Sequence, residues 1–181
     1  KAIPTDIRNG FQIPPIEEFE KAITDKTKAI LVCNPGNPTG TQYSKESMLA
    51  LGEIARKHDL FLLSDEVYRE FCYTDEPHFS AMNIPGLEQN VILIDSVSKR
   101  YNLCGARIGC IVSHNKDVMA AAMKFAQARL CPPVIGQAAA IGALDTPDDY
   151  FEAVKEEYIK RRDFMINGLN RIEGVFTPLP M

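Results

Sequence analysis

Short apolar runs alternate with amphipathic stretches over the first two thirds of the chain, the rhythm of an α/β fold whose mainly parallel sheet is covered by helices. After the Pro14-Pro15 breaker, Ile16, Phe19, Ala22 and Ile23 recur at helical spacing, and Lys28 to Cys33 follows as a strand of the fully buried type. Asn34 to Gly40, with two prolines and two glycines, is an obligatory loop. Ser44 is placed to cap a helix running to about His58, with Met48, Leu49, Leu51, Ile54 and Ala55 on its buried face. Further strands are expected at Leu60 to Ser64, Val91 to Asp95 and Ile108 to Val112. Asn115 can cap a helix through Arg129, and Pro133 can start another through Leu144. Thr146-Pro147-Asp148-Asp149 is a strong start signal for a long helix to about Ile172, after which Gly174-Val175-Phe176-Thr177 begins a new extended run. The Lys160-Arg161-Arg162 run on that helix reads as a solvated face.

Composition narrows the class. The 181 residues are 45% hydrophobic, 24% charged and 8% aromatic, which suits one globular domain and excludes disorder, collagen and coiled coil. Lys plus Arg number 20 against 24 for Asp plus Glu, with no basic block, so nucleic acid is not an expected partner. The longest apolar stretches fall far short of the roughly 18 residues a membrane span needs, so a soluble protein is expected. Five cysteines, an odd number without a CxxC pair, are expected as free thiols in a reducing cytoplasm. The chain opens on Lys1 and stops just after an extended run begins, as a piece of a longer protein would.

In a parallel α/β sheet, ligands sit at the carboxyl ends of the strands. Three polar clusters follow strands here: Asn34-Pro35-Gly36-Asn37-Pro38-Thr39-Gly40, Asp65-Glu66-Val67-Tyr68 and Ser96-Val97-Ser98-Lys99. Taken singly, each can be an ordinary cap or turn; together they place an amide, a carboxylate, a phenol, hydroxyls and an amine on one sheet edge. Lys99 is either a surface lysine or a nucleophile toward carbonyls whose pKa the nearby Arg107 would lower. Ser96, Ser98 and Arg107 supply donors suited to a phosphate. An amine, a phosphate cradle and a strand-end carboxylate imply pyridoxal 5'-phosphate. His58, His78 and His114 lack metal-ligand spacing and read as structural, with no metal site expected. Arg129 is either a substrate contact or, more simply, a helix-terminal cation facing the dipole.

The three clusters, followed by Gly105-Ala106-Arg107-Ile108-Gly109, resemble the fold-type I, class I/II aminotransferases, which are aspartate aminotransferase-like and depend on pyridoxal phosphate. Order and separation agree too, with 28 residues from Asn37 to Asp65 and 62 to Lys99. The resemblance implies that Lys99 forms the Schiff base with the cofactor and that Asp65 pairs with its protonated ring nitrogen. It also implies that Asn37 and Tyr68 hydrogen-bond the phenolic oxygen and that Ser96 and Arg107 bind the phosphate, with Ser98 either a further phosphate ligand or the cap of the turn. The implied activity is ping-pong transfer of an amino group from an amino acid, aspartate among the candidates, to a 2-oxo acid, by a cytoplasmic homodimer. A fold-type I lyase or synthase using the same Lys99, a non-catalytic cofactor-binding regulatory module and an inactive fragment are the alternatives.

The same resemblance divides the chain into part of the cofactor-binding large domain at 1–145, a connecting helix at 146–173 and the start of a small C-terminal domain at 174–181. It places a glycine-containing phosphate loop and a ring-stacking aromatic upstream of these residues and a substrate-carboxylate arginine downstream. The 181 residues alone are therefore expected to bind the cofactor weakly and to show no appreciable transamination.

Overall fold

The computed structural model describes residues 1–181. Its elements are, in chain order, α1 (Ile16–Ala22), β1 (Ala29–Cys33), α2 (Lys45–Lys57), β2 (Phe61–Asp65), β3 (Val91–Ser96), α3 (Val97–Arg100), β4 (Gly109–Val112), α4 (Lys116–Arg129), α5 (Val134–Ala143) and α6 (Asp148–Leu169). Short 3-10 turns lie at Ile7–Asn9, Ala81–Asn83 and Cys104–Ala106.

The sheet order is β1-β2-β3-β4, with β1, β2 and β3 parallel and β4 antiparallel to β3. Cys33 pairs with Asp65 and Asp65 with Ile94, so the three parallel strands end at one edge and release their polar clusters together. The antiparallel direction of β4 is new information, since an apolar run reports a strand but not its sense.

The core lies on one face of this sheet. Ser44 caps α2 as expected, its hydroxyl accepting from the Ser47 N–H at 3.2 Å. Met48, Leu51, Ile54 and Ala55 of α2 then pack with Phe19, Ile30, Val32, Leu62 and Val91. Each fully buried leucine or methionine there contributes about 1.5–3 kcal/mol by leaving water. Leu49, expected on that face, is only half-buried, and Gly52 is buried in addition.

On β1 the expectation of a fully buried strand meets cover on one side only. Successive side chains point to opposite faces, so Ile30 and Val32 are buried while Leu31 is 68% exposed. The C-terminal helices differ still more. No residue of α4 or α6 is buried, and α5 buries only Gly136. A Cβ at Gly136 would meet the Ala106 carbonyl oxygen at 2.4 Å, so α5 rests backbone against backbone on the Cys104–Ala106 turn. No strand forms at 174–177. Thr177 instead donates its N–H and hydroxyl to Asn170 Oδ1, and the Met181 N–H reaches the Gly40 carbonyl at 2.9 Å.

In the Lys160-Arg161-Arg162 run, Lys160 and Arg161 are exposed as a solvated face requires, but Arg162 is not. It donates to the Pro180 carbonyl at 3.1 Å and lies over the Tyr73 ring. All five cysteines are free: Cys72 is buried, Cys33 half-buried, and Cys104, Cys110 and Cys131 are exposed. No helix is long and apolar enough to cross a membrane.

Candidate active site

The loop after β1 is closed by its own backbone. Buried Asn34 accepts the Tyr43 N–H through Oδ1 at 2.8 Å, Gly36 donates to the Thr41 carbonyl at 2.8 Å, and Gly40 donates to the Gly36 carbonyl at 2.8 Å. Gly40 holds φ at +69°, and a Cβ there would sit 2.6 Å from the Pro180 ring, so no other residue fits. This frame leaves Asn37 exposed, its amide donating to the Tyr68 hydroxyl across a long 3.5 Å. Between the two lies a cleft of about 210 Å³ lined by Pro35, Gly36, Pro38, Phe71 and Tyr73 as well. Phe71 packs edge-on to both Tyr68 and Tyr158 of α6.

Asp65 and Glu66, adjacent in sequence, have opposite fates because the pleat turns successive side chains to opposite faces. Asp65 is half-buried at the end of β2; Oδ1 accepts the Val67 N–H at 3.2 Å, and Oδ2 has no hydrogen-bond partner in the chain. Glu66 is fully buried and accepts from Ser64 Oγ (3.0 Å), Ser80 Oγ (3.1 Å), the Ala81 N–H (2.8 Å) and His78 Nε2 (2.9 Å). Burial alone would raise the Glu66 carboxyl. The His78 hydrogen bond, the Ala81 N–H, the His78 charge and Ser80 outweigh it and hold the group below the ordinary glutamate value. His78 is thus a buried partner of Glu66, while His58 pairs with Glu20 at 2.7 Å.

After β3, Ser96 caps α3, its hydroxyl accepting the Ser98 N–H at 3.1 Å. The capping hydroxyl is therefore that of Ser96, and the Ser98 hydroxyl makes no hydrogen bond within the chain. Lys99 is exposed, with Nζ 5.7 Å from the Tyr68 ring centroid and no carboxylate bound to it. Asn37, Tyr68 and Lys99 are brought together in this way. Arg107 is not: it ends the Cys104–Ala106 turn in the left-handed region (φ +56°), donates Nη1 to the Cys104 carbonyl at 3.0 Å and makes no hydrogen bond to Ser96, Ser98 or Lys99. Arg129 is the last residue of α4, where a cation favours the helix dipole.

Sequence reasoning missed the ionic group beneath these side chains. Asp95 Oδ2 lies 3.0 Å from Arg69 Nη2 and 3.2 Å from Arg100 Nη2, and Glu70 joins the same two arginines. The available signal was positional: one arginine directly follows Tyr68 and the other directly follows Lys99.

The family model for aminotransferase class I and II matches residues 3–180. An aspartate aminotransferase of Rhizobium meliloti (strain 1021) is 34% identical over 180 residues, which are 98% of this chain and 44% of that protein. Among solved structures, an alanine aminotransferase from Pyrococcus furiosus matches with a TM-score of 0.87 at 35% identity, covering 98% of this chain and 46% of that one. An aspartate aminotransferase from Rhizobium meliloti matches with a TM-score of 0.90 at 34% identity, over 98% and 45%. The chain therefore spans less than half the length of these relatives.

Proposed function

The chain belongs to the class I and II aminotransferases, and from that premise we propose that the full-length protein moves an amino group from an amino acid to a 2-oxo acid, with pyridoxal phosphate held on Lys99. The observation that carries this reading is the meeting of the Lys99 amine with the Asn37–Tyr68 pair at the sheet edge where β2 also ends on the half-free Asp65 carboxylate. The donor set fits the cofactor. Lys99 offers an amine without an ion-pair partner, and Asp65 keeps one oxygen for a ring nitrogen. The Ser98 hydroxyl is left without a partner in the chain, and Arg107, which stands apart from the two serines here, commits one of its five N–H groups to Cys104 and would have to turn its other donors toward a phosphate.

Bound there, the cofactor supplies an electron sink for the pair left when a substrate α-proton is removed. The chain supplies the rest. Lys99 Nζ accepts that proton and gives it back, which requires the amine to be free of competing carboxylates, as it is. Asp65, at the end of β2, would pair with a protonated ring nitrogen, and the Asn37 amide and the Tyr68 hydroxyl would hydrogen-bond the phenolic oxygen and so orient the group. The three similar proteins described above are all aminotransferases, which favours transfer over lyase or synthase chemistry and makes aspartate and alanine the first donors to test. The reading includes a cytoplasmic homodimer, in which the remaining chain and a second copy would cover side chains such as Phe125 and Ile135, and α6 as the connection to a further domain. Borohydride reduction of the full-length protein followed by peptide mass mapping should place the cofactor label on Lys99; a label on Lys45 or Lys57 overturns the assignment.

A further inference from the structure

We propose that Asp95 is a positioning residue for this amino transfer: one carboxylate locks the segment that carries Tyr68 to the segment that carries Lys99. The proposal rests on the reading of Lys99 given above.

Both oxygens of Asp95 are engaged. Oδ1 accepts the Ser96 N–H at 2.7 Å, and Oδ2 receives Arg69 Nη2 at 3.0 Å and Arg100 Nη2 at 3.2 Å. Glu70 Oε1 closes the group, 3.2 Å from Arg100 Nε and 3.8 Å from Arg69 Nε. Arg69 is the residue after Tyr68, and Arg100 is the residue after Lys99. The chain thus ties together two segments that leave different strands and whose functional side chains face each other at 5.7 Å. None of the four ionic residues bonds the Lys99 amine or the Tyr68 hydroxyl, so the group acts through the backbone and not on the reacting atoms.

The surroundings make the carboxylate hard to replace. Asp95 and Arg100 have side chains only 12% and 14% exposed. Two guanidinium groups and two carboxylates balance to zero charge, so removing Asp95 leaves the largely buried Arg100 and the part-exposed Arg69 sharing the single carboxylate of Glu70. Burial pushes the Asp95 carboxyl up, Arg69 and the Ser96 N–H pull it down, and Glu66 and Asp65 on the β2 side push it up again. From β4, Cys110 pairs opposite Asp95 in the ladder. A surface pair would be screened and weak, whereas this carboxylate is largely buried and held by three partners, the Ser96 N–H, Arg69 and Arg100.

The test uses the full-length protein loaded with pyridoxal phosphate and the near-isosteric Asp95→Asn variant. The parent protein must first show the Lys99 label; its absence refutes the cofactor reading and not the clamp. With the label present, Asp95→Asn should lower kcat about 10- to 100-fold, the loss expected when catalytic groups shift by about an ångström, while KM changes by less than about threefold. The pH midpoint of the absorbance of the Lys99-linked cofactor should move down, because the uncompensated guanidinium charge disfavours a second positive charge nearby. In the cofactor-free protein, amide hydrogen exchange should quicken in residues 66–70 and in residues 97–101 together. A variant that is merely less stable, with kcat and the spectral midpoint unchanged, overturns the proposal. Should Asp95→Asn fail to fold, Arg69→Lys and Arg100→Lys keep the charges but lose the planar fork. Each should then reproduce the fall in kcat, and normal kcat in both overturns the proposal.

Discussion

Residues 1–100 bury their apolar side chains against one another, whereas residues 101–181 leave theirs in water. Of the 23 buried residues, only Gly136 lies beyond Leu93. In the second region Phe125 is 79% and Ile135 86% exposed, with Leu130, Ile141 and Leu144 close behind. The two regions do not differ in kind of sequence, since both have apolar residues at helical spacing; they differ in whether a facing surface is present. The first region closes around α2 and the sheet and carries Asn37, Asp65, Tyr68 and Lys99, while the second touches this site through Tyr158 on Phe71 and through Pro180 and Met181 on Gly40. The second carries apolar side chains that no surface within these residues covers, and of the candidate site residues it contributes only Arg107.

The largest effect that can break this contrast is chemical. If the chemistry resides in the first region, Lys99→Ala in the full-length protein should lower the amino-transfer rate by on the order of 10²–10⁴-fold, the range for removing a positioned acid–base group. Arg129→Ala, at the end of α4, should leave it within about twofold by the same steady-state assay. A comparable loss at both positions would move the site toward the second region.

Packing comes next. Leu62→Ala, at a fully buried position of β2, should cost about 2–5 kcal/mol of unfolding free energy in urea titrations. Phe125→Ala in the 181-residue chain should stay within about 0.5 kcal/mol, since its ring is already in water. Repeating Phe125→Ala in the full-length protein sharpens the contrast: a cost of about 3–5 kcal/mol there shows that another surface covers α4.

The smallest effect concerns acid. Glu66 is held below its ordinary value near 4.5, so the folded state binds its proton less readily than the unfolded chain does. Its contribution is complete above pH 4.5 and is lost as the pH falls from there through the lowered folded value. Glu66→Gln should flatten this part of the acid-unfolding curve and cost about 1–3 kcal/mol at neutral pH, because the amide nitrogen cannot accept the bonds that the carboxylate accepted. An unchanged curve would mean that the loop at 78–81 is held by its apolar contacts alone.

Much of this was legible in the order of residues. The Ser44 cap, the face of α2, the strand positions and the convergence of Asn37, Asp65 and Lys99 all follow from local spacing, because helix and strand periods are local properties. What escaped depends on distant pairing. Asp95 and Arg69 are 26 residues apart and meet only because β2 and β3 run in register, and nothing near Asp95 in sequence announces two arginine partners. Glu66 has no role in the sequence pattern, and its burial against Ser80 and Ala81 follows only from the pleat that turns it inward. The exposed side of β1 was equally hidden, since five consecutive apolar residues read the same whether one face is covered or two.

The sheet order leaves β1 and β4 as outer strands, with no further strand hydrogen-bonded to either. All four residues of β4 are exposed, including Ile111 and Val112, and no proline interrupts the strand. Such a ladder is a template for any other extended segment, including the same strand of another molecule. Handled in isolation at high concentration, the chain is therefore expected to fail as a colloid before it fails as a fold, forming edge-to-edge assemblies whose growth rises steeply with concentration. A lysine in place of Ile111 would blunt that edge without entering the core, and light scattering would register the difference.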